Sequence, residues 1–279
     1  MHRRRWMLIV VMALTSGACV RRAPPDREAV WRGFLTWLES APLDADPVRA
    51  YLAQLRRDGA SPTEVERQSA VITDLMSERP EAVELFFDRV YAEPVSGDSA
   101  QGGFSTEPSA FLAEAVRGVT PGTALDVGMG QGRNAVFLAQ QGWDVTGFDI
   151  SSEALRAARA NAEHAGVPLR TVKASYETFD FGDRQWDLIV LAFAWAPVSD
   201  STFVRRLYTG LKPGGIVVFE HFIDDPAHPY AEAVHALRPN QLRAFFREFR
   251  IDRYEEIPGT GDWRGRGAGL VRMVARRPT

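Results

Sequence analysis

The sequence predicts an α/β protein: a mostly parallel sheet of seven strands with an antiparallel final strand, preceded by a helical extension. Three observations carry this expectation. Residues 125–150 read LDVGMGQGRNAVFLAQQGWDVTGFDI, which compresses strand, glycine turn, helix, strand and terminal acid into one βαβ unit. From there to the C-terminus, strand-length apolar runs alternate with helical stretches, a pattern that puts helices on both faces of a parallel sheet. The last two runs, Phe249–Ile257 and Ala268–Ala275, are joined by a Gly-rich loop too short for a parallel crossover, so the final strand is antiparallel.

The first unit is the most informative. Ala124–Val127 is an apolar run that carries Asp126, and Gly128, Gly130 and Gly132 follow at alternate positions. Asn134–Gln141 has helical periodicity through Ala135, Phe137 and Leu138, and Gly142 is placed to end that helix. The second run, Asp144–Phe148, ends in Asp149. Glycines at the carboxyl end of a strand let the backbone approach a ligand that a Cβ would exclude. An acid at the end of the next strand can accept hydrogen bonds from both hydroxyls of a ribose. The unit is therefore expected to bind a nucleoside-containing cofactor, with a ligand-free βα turn as the plain structural alternative.

Dinucleotide enzymes usually show G-x-G-x-x-G. Here the spacing is G-x-G-x-G with Asp126 ahead of it, which resembles motif I (D-x-G-x-G-x-G) of the class I S-adenosylmethionine (SAM) methyltransferases. The LKPGG stretch before the apolar run Ile216–Phe222, and the antiparallel last strand, are also similar to that family. The resemblance covers residues 104–279 and implies a Rossmann-like, doubly wound sheet. It implies cofactor contacts from Asp126, Gly128, Met129, Gly130, Gly132, Arg133, Asn134, Asp149 and Ile150. The family often has an acid near the end of the third strand; this chain has Ser175 and Tyr176 there, followed by Glu177, which puts the adenine contact in question. G-Q-G-R-N in the loop and P-N-Q-L-R-A-F-F before the closing strands resemble the small-molecule methyltransferases of the tellurite-resistance and thiopurine types.

The implied reaction is methyl transfer from SAM to a small-molecule acceptor. SAM brings its own leaving group, so alignment and exclusion of water are the main requirements. A hydroxyl or amine acceptor would need a general base, and Glu220 and His221 at the end of the fifth strand are the candidates. Arg133 is a cation in the first turn of a helix, where it opposes the helix dipole, so it calls for an anionic partner: a protein carboxylate or a substrate. Two other classes stay open at this point, a nicotinamide-dependent oxidoreductase and an anchored SAM-binding scaffold without turnover. Ala192–Ser199 reads AFAWAPVS and lacks the Asn/Asp-Pro-Pro-aromatic stretch of the amino-nitrogen methylases of DNA and protein glutamine.

In chain order, residues 1–19 resemble an export signal. Arg3–Arg5 precede a short apolar run, Trp6–Leu14, then small residues and the single cysteine, Cys19. This is similar to a bacterial lipobox, with Ser16 where the box usually has leucine, and implies a lipid tether through Cys19 or export; the alternative is a cytoplasmic enzyme with an uncleaved N-terminus. Residues 20–103 are a tether followed by a helical extension. Pro47 and the capping-box pattern Ser61-Pro62-Thr63-Glu64 open two of its helices, and residues 93–103 are a Gly-containing linker. The extension is expected to pack on the core, on a protein partner or on a second copy in preference to serving as a substrate lid. Phe104–Gly118 is expected to be helical; Phe104 is expected in the core, with contact to the cofactor, which related chains fold over at this segment, as the alternative.

The 45% hydrophobic content and net charge of −3 describe a globular protein with a sizeable core. Basic residues are nearly all arginine and form no long block outside the N-terminus, so no nucleic-acid partner is expected. His221, His228 and His235 recur at seven-residue spacing, but Pro226 and Pro229 break any common helix, and no metal site is expected.

Overall fold

The computed structural model describes residues 26–43, 47–92, 104–223, 237–261 and 267–279. The expectations for the N-terminal segment with Cys19, the linker 93–103, His228, His235 and the loop 262–266 lie outside those residues.

Four helices come first: α1 (Arg27–Ser40), α2 (Pro47–Arg57), α3 (Pro62–Glu78) and α4 (Glu81–Ala92). Asp26 caps α1 by accepting from the Glu28 amide, and Ser61 caps α3 by accepting from the Glu64 amide. Their apolar faces meet in one cluster built on Trp31, Phe34, Tyr51, Ile72, Leu75 and Phe86. Phe104 and Trp195, from outside the helices, pack against the same cluster. The extension is thus joined to the rest of the molecule through apolar contact.

The remainder is α5 (Ala110–Ala115), β1 (Thr123–Val127), α6 (Arg133–Gln140), β2 (Asp144–Asp149), α7 (Ser152–Ala165), β3 (Arg170–Lys173), β4 (Trp186–Ala192), α8 (Ser201–Gly210), β5 (Leu211–Phe222), α9 (Gln241–Phe245), β6 (Arg250–Thr260) and β7 (Gly267–Arg276). The seven strands form one sheet in the order β3-β2-β1-β4-β5-β7-β6. Strands β1 to β5 pair in parallel, while β7 lies antiparallel between β5 and β6, as expected from the short last connection. Leu188, Ile189, Val190 and Leu191 are fully buried, as a strand covered on both faces requires. One face packs Phe148, Phe179, Phe203, Phe219 and Phe246. The other packs Phe111, Leu112, Ala135, Leu138 and Leu155.

Three elements differ from expectation. Helix α5 is shorter than Phe104–Gly118, because Pro108 biases the residue before it away from helix and Ser109 then caps the start through the Leu112 amide. Strand β5 begins at Leu211, which pairs with Trp186; pairing resumes at Ile216 with Leu188, so the turn at Lys212–Gly215 is an irregularity within the strand. Leu242, Phe245 and Phe246 predict a helix over residues 239–249, but α9 spans five residues, bounded by Asn240 in the left-handed region (φ 62°) and by Phe246.

Candidate active site

The site grows from the ends of β1 and β2, which run in register from Thr123↔Asp144 to Val127↔Phe148. The loop after β1 hooks onto β2, where the Met129 amide donates to the Phe148 carbonyl at 3.0 Å. Gly128, Gly130 and Gly132 have φ of 64°, 54° and 78°. Side chains are strained there, so this turn needs glycine at alternate positions. A Cβ at Gly132 would lie 2.9 Å from the Ala158 Cβ, so this glycine lets α6 approach α7. A Cβ at Gly128 would lie 2.9 Å from the Tyr176 hydroxyl, and one at Gly130 would overlap the Tyr91 hydroxyl. Two glycines therefore face tyrosine hydroxyls across a cradle, and the third packs helices. The Met129 side chain lies over Gly147 and is buried.

Asp149 stands at the edge of that cradle. Its Oδ2 accepts from the Gly130 amide and its Oδ1 from the Ser151 amide, each at 2.9 Å. Burial raises its pKa, and these backbone amides oppose the rise. Each carboxylate oxygen has a second lone pair, so the two amides orient the group without exhausting it. Asp126, one strand away, is buried, and its pKa is pushed up to about 7 by burial, with Arg133 opposing and Asp149 adding to the rise. Its Oδ2 has no hydrogen-bond partner among the described residues. A buried acceptor in that state is a point where a cofactor's donor fits.

The neighbouring residues have structural tasks as well. Arg133 donates to the Glu107 carbonyl at 2.6 Å and holds its charge near Asp126, so its anionic surroundings include a protein carboxylate. Asn134 Oδ1 accepts from the Ser109 amide at 2.9 Å. Ser175 forms a turn with Thr178. Tyr176 is packed against Phe148 and Phe203, and burial, then the charge of Asp149, raise its pKa; the Trp195 amide opposes this. Ile150 is half-buried beside Asp149.

Residues 124–215, the stretch that builds this cradle, match a family model described as a methyltransferase domain. That stretch of the chain carries a methyltransferase domain. It is 35% identical over 95 residues to a ubiquinone biosynthesis O-methyltransferase of a Methylobacterium strain, covering 34% of this chain and 38% of that protein. It is 29% identical over 188 residues to hemagglutinin 1 of Eikenella corrodens, covering 63% of this chain and 61% of that protein. The chain thus spans less than two thirds of these relatives. In fold it is similar to the 1,6-didemethyltoxoflavin-N1-methyltransferase of Burkholderia thailandensis, solved with its substrate and S-adenosylhomocysteine bound (TM-score 0.50, 20% identity, 79% of this chain and 92% of that one).

Elsewhere on the sheet, the ends of β4 and β5 hold the other candidate groups. Glu220 is buried; its Oε1 accepts from Arg272 Nε at 2.6 Å and its Oε2 from the Ser109 hydroxyl at 2.5 Å. It joins β5 to β7 and to the start of α5. His221 is buried on the opposite face, with ring centroids 6.2 Å from Phe219 and 5.6 Å from Phe222. The structure does not bring Glu220 and His221 together, because neighbours on a strand point to opposite faces. Phe193, just past β4, has φ 56°, its amide donates to the Glu220 carbonyl at 2.7 Å, and its ring meets Phe222. A bulky residue at positive φ is strained.

Sequence reasoning missed Tyr91, Asp88 and Trp195 at the cradle, and Ser109 and Arg272 around Glu220. No spacing rule links Tyr91 to Gly130 or Ser109 to Glu220; the available signal was the aromatic density of residues 86–91 and of AFAWAP.

Proposed function

We propose that the protein transfers a methyl group from SAM to a small-molecule acceptor. The observation that carries this is the cradle: two glycines at the end of β1 whose missing side chains leave space where only tyrosine hydroxyls stand, beside a buried carboxylate at the end of β2 already oriented by two amides. Bound there, SAM supplies a methyl group on a positively charged sulfur that is its own leaving group. Asp149 would accept from the ribose hydroxyls, and the backbone at Gly128, Met129 and Gly130 would lie against the cofactor. Asp126 would offer its remaining acceptor. The Tyr176 ring, packed against Phe148 and Phe203, would help keep water from the transfer.

Both oxygens of Glu220 are engaged, so we assign it to holding α5 and β7, and Arg133 to the same internal network. His221 remains the candidate base for an acceptor that must lose a proton. Calorimetry with SAM, S-adenosylhomocysteine and NAD tests the cofactor: binding of the first two without NAD supports the reading, and the reverse sinks it in favour of an oxidoreductase. Turnover against thiols, phenols, amines and metalloid oxyanions then separates an enzyme from a binding scaffold. Lipid attachment at Cys19 is a separate proposal, supported by the arginines, short apolar run and small residues before it. Mass spectrometry of the native N-terminus tests it, and an unmodified Cys19 in a chain starting at Met1 would refute it.

A further inference from the structure

Glu84, Asp88 and Tyr91 are spaced by four and three residues on α4, so they share one face of that helix. Each meets a different part of the cradle. Glu84 pairs with Lys173 at the end of β3 at 2.6 Å. Asp88 Oδ1 accepts from the Ser151 hydroxyl at 2.6 Å and from the Glu153 amide at 3.2 Å, next to Asp149. The Tyr91 hydroxyl lies against Gly130. On the adjoining face, Phe87 packs edge-on against Trp195, just beyond β4, at 5.2 Å. Helix α4 therefore crosses the carboxyl ends of β1, β2, β3 and β4. In the strand order β3-β2-β1-β4 this is the crevice where open α/β sheets bind their ligands.

We propose that Tyr91 is a displaceable gate on the cofactor site. The inference rests on the SAM reading above. Its hydroxyl fills the space in front of Gly130 that the glycine leaves for a ligand, and two groups cannot share that space. Cofactor entry therefore moves the Tyr91 side chain and the last turn of α4. The contacts that close the gate suit such a motion. The Glu84–Lys173 pair is partly exposed, which makes it weak and quick to break. Tyr91 stacks on Phe104, with ring centroids 5.2 Å apart and planes at 25°, a contact that can slide without burying a charge. Asp88 is the firmer latch, because it caps the start of α7 from outside.

Stopped-flow association of S-adenosylhomocysteine with the full chain tests this, with Tyr91→Phe and Tyr91→Ala as variants and calorimetry for affinity. Tyr91→Ala should bind about tenfold faster, the effect of one decade in a barrier. Tyr91→Phe keeps the stack on Phe104 and guards against a folding defect; it should shift in the same direction by less. In the parent protein, amide exchange in residues 86–92 should change on ligand addition. Unchanged or slower association in both variants, with normal binding by the parent, would overturn the gate alone. No binding by any of the three proteins would overturn the cofactor assignment and the gate with it.

Discussion

The glycine cradle and the ends of β4 and β5 sit on one sheet but are built differently. The cradle is local: Asp126, the three glycines and Asp149 fall within one βαβ unit, and its key bonds run between backbone amides and a carboxylate. The ends of β4 and β5 are assembled at long range, where Glu220 is held by Ser109 and Arg272, each from a distant part of the chain. A site made of backbone geometry tolerates few substitutions and tells little about the acceptor. A site made of side chains from many elements is where acceptor choice can be adjusted without disturbing cofactor binding.

The comparison breaks most sharply at Gly130. Gly130→Val should abolish S-adenosylhomocysteine binding in calorimetry while far-UV circular dichroism stays that of a folded protein, because a β-branched residue resists positive φ and fills the cradle. Normal binding would show that the loop is structural. At the other end of the unit, Asp149→Ala should weaken binding by about 1.5–3 kcal/mol, roughly 10- to 150-fold, through lost charge-assisted hydrogen bonds. Unchanged affinity would remove Asp149 from the cofactor site.

The β5 end should respond differently. Glu220→Gln leaves Arg272 without its charge partner, and solvent reaches that arginine, so a loss of about 1–2 kcal/mol of stability is expected rather than the larger penalty of a fully buried pair. A lowered Tm with intact S-adenosylhomocysteine affinity fits the anchoring role. Loss of turnover with an unchanged Tm would instead make Glu220 a base.

A last test, of pH dependence, concerns Asp126. Its pKa is raised in the folded state to about 7, above its unfolded value. Its stabilising contribution is full below about pH 4 and is lost as pH rises through about 7, since the unfolded chain gives up the proton first. Asp126→Asn should flatten this dependence, removing a slope of up to about 1.4 kcal/mol per pH unit between about pH 4 and 7. Parallel denaturation curves for the two proteins across that range would show that Asp126 is ionised throughout.

Much of this was readable before the structure. The alternation of strands and helices and the short last link specified the sheet and its antiparallel strand, because hydrophobic period and loop length are local properties. The cap at Ser61 was readable for the same reason: a cap acts within three residues. The ends of α5 and α9 were not, since propensity extended both beyond where Pro108 and Asn240 bound them.

What the sequence by itself determined is the cradle: glycine at alternate positions and an acid at the next strand's end are requirements of backbone conformation, and they leave a spacing in the chain. What only the tertiary structure decided is which groups surround it. Tyr91 reaches Gly130, Asp88 reaches Ser151, and Arg272 reaches Glu220 because helices and strands far apart in sequence pack there, driven by apolar burial that is non-directional and carries no record of which polar side chains it will bring together.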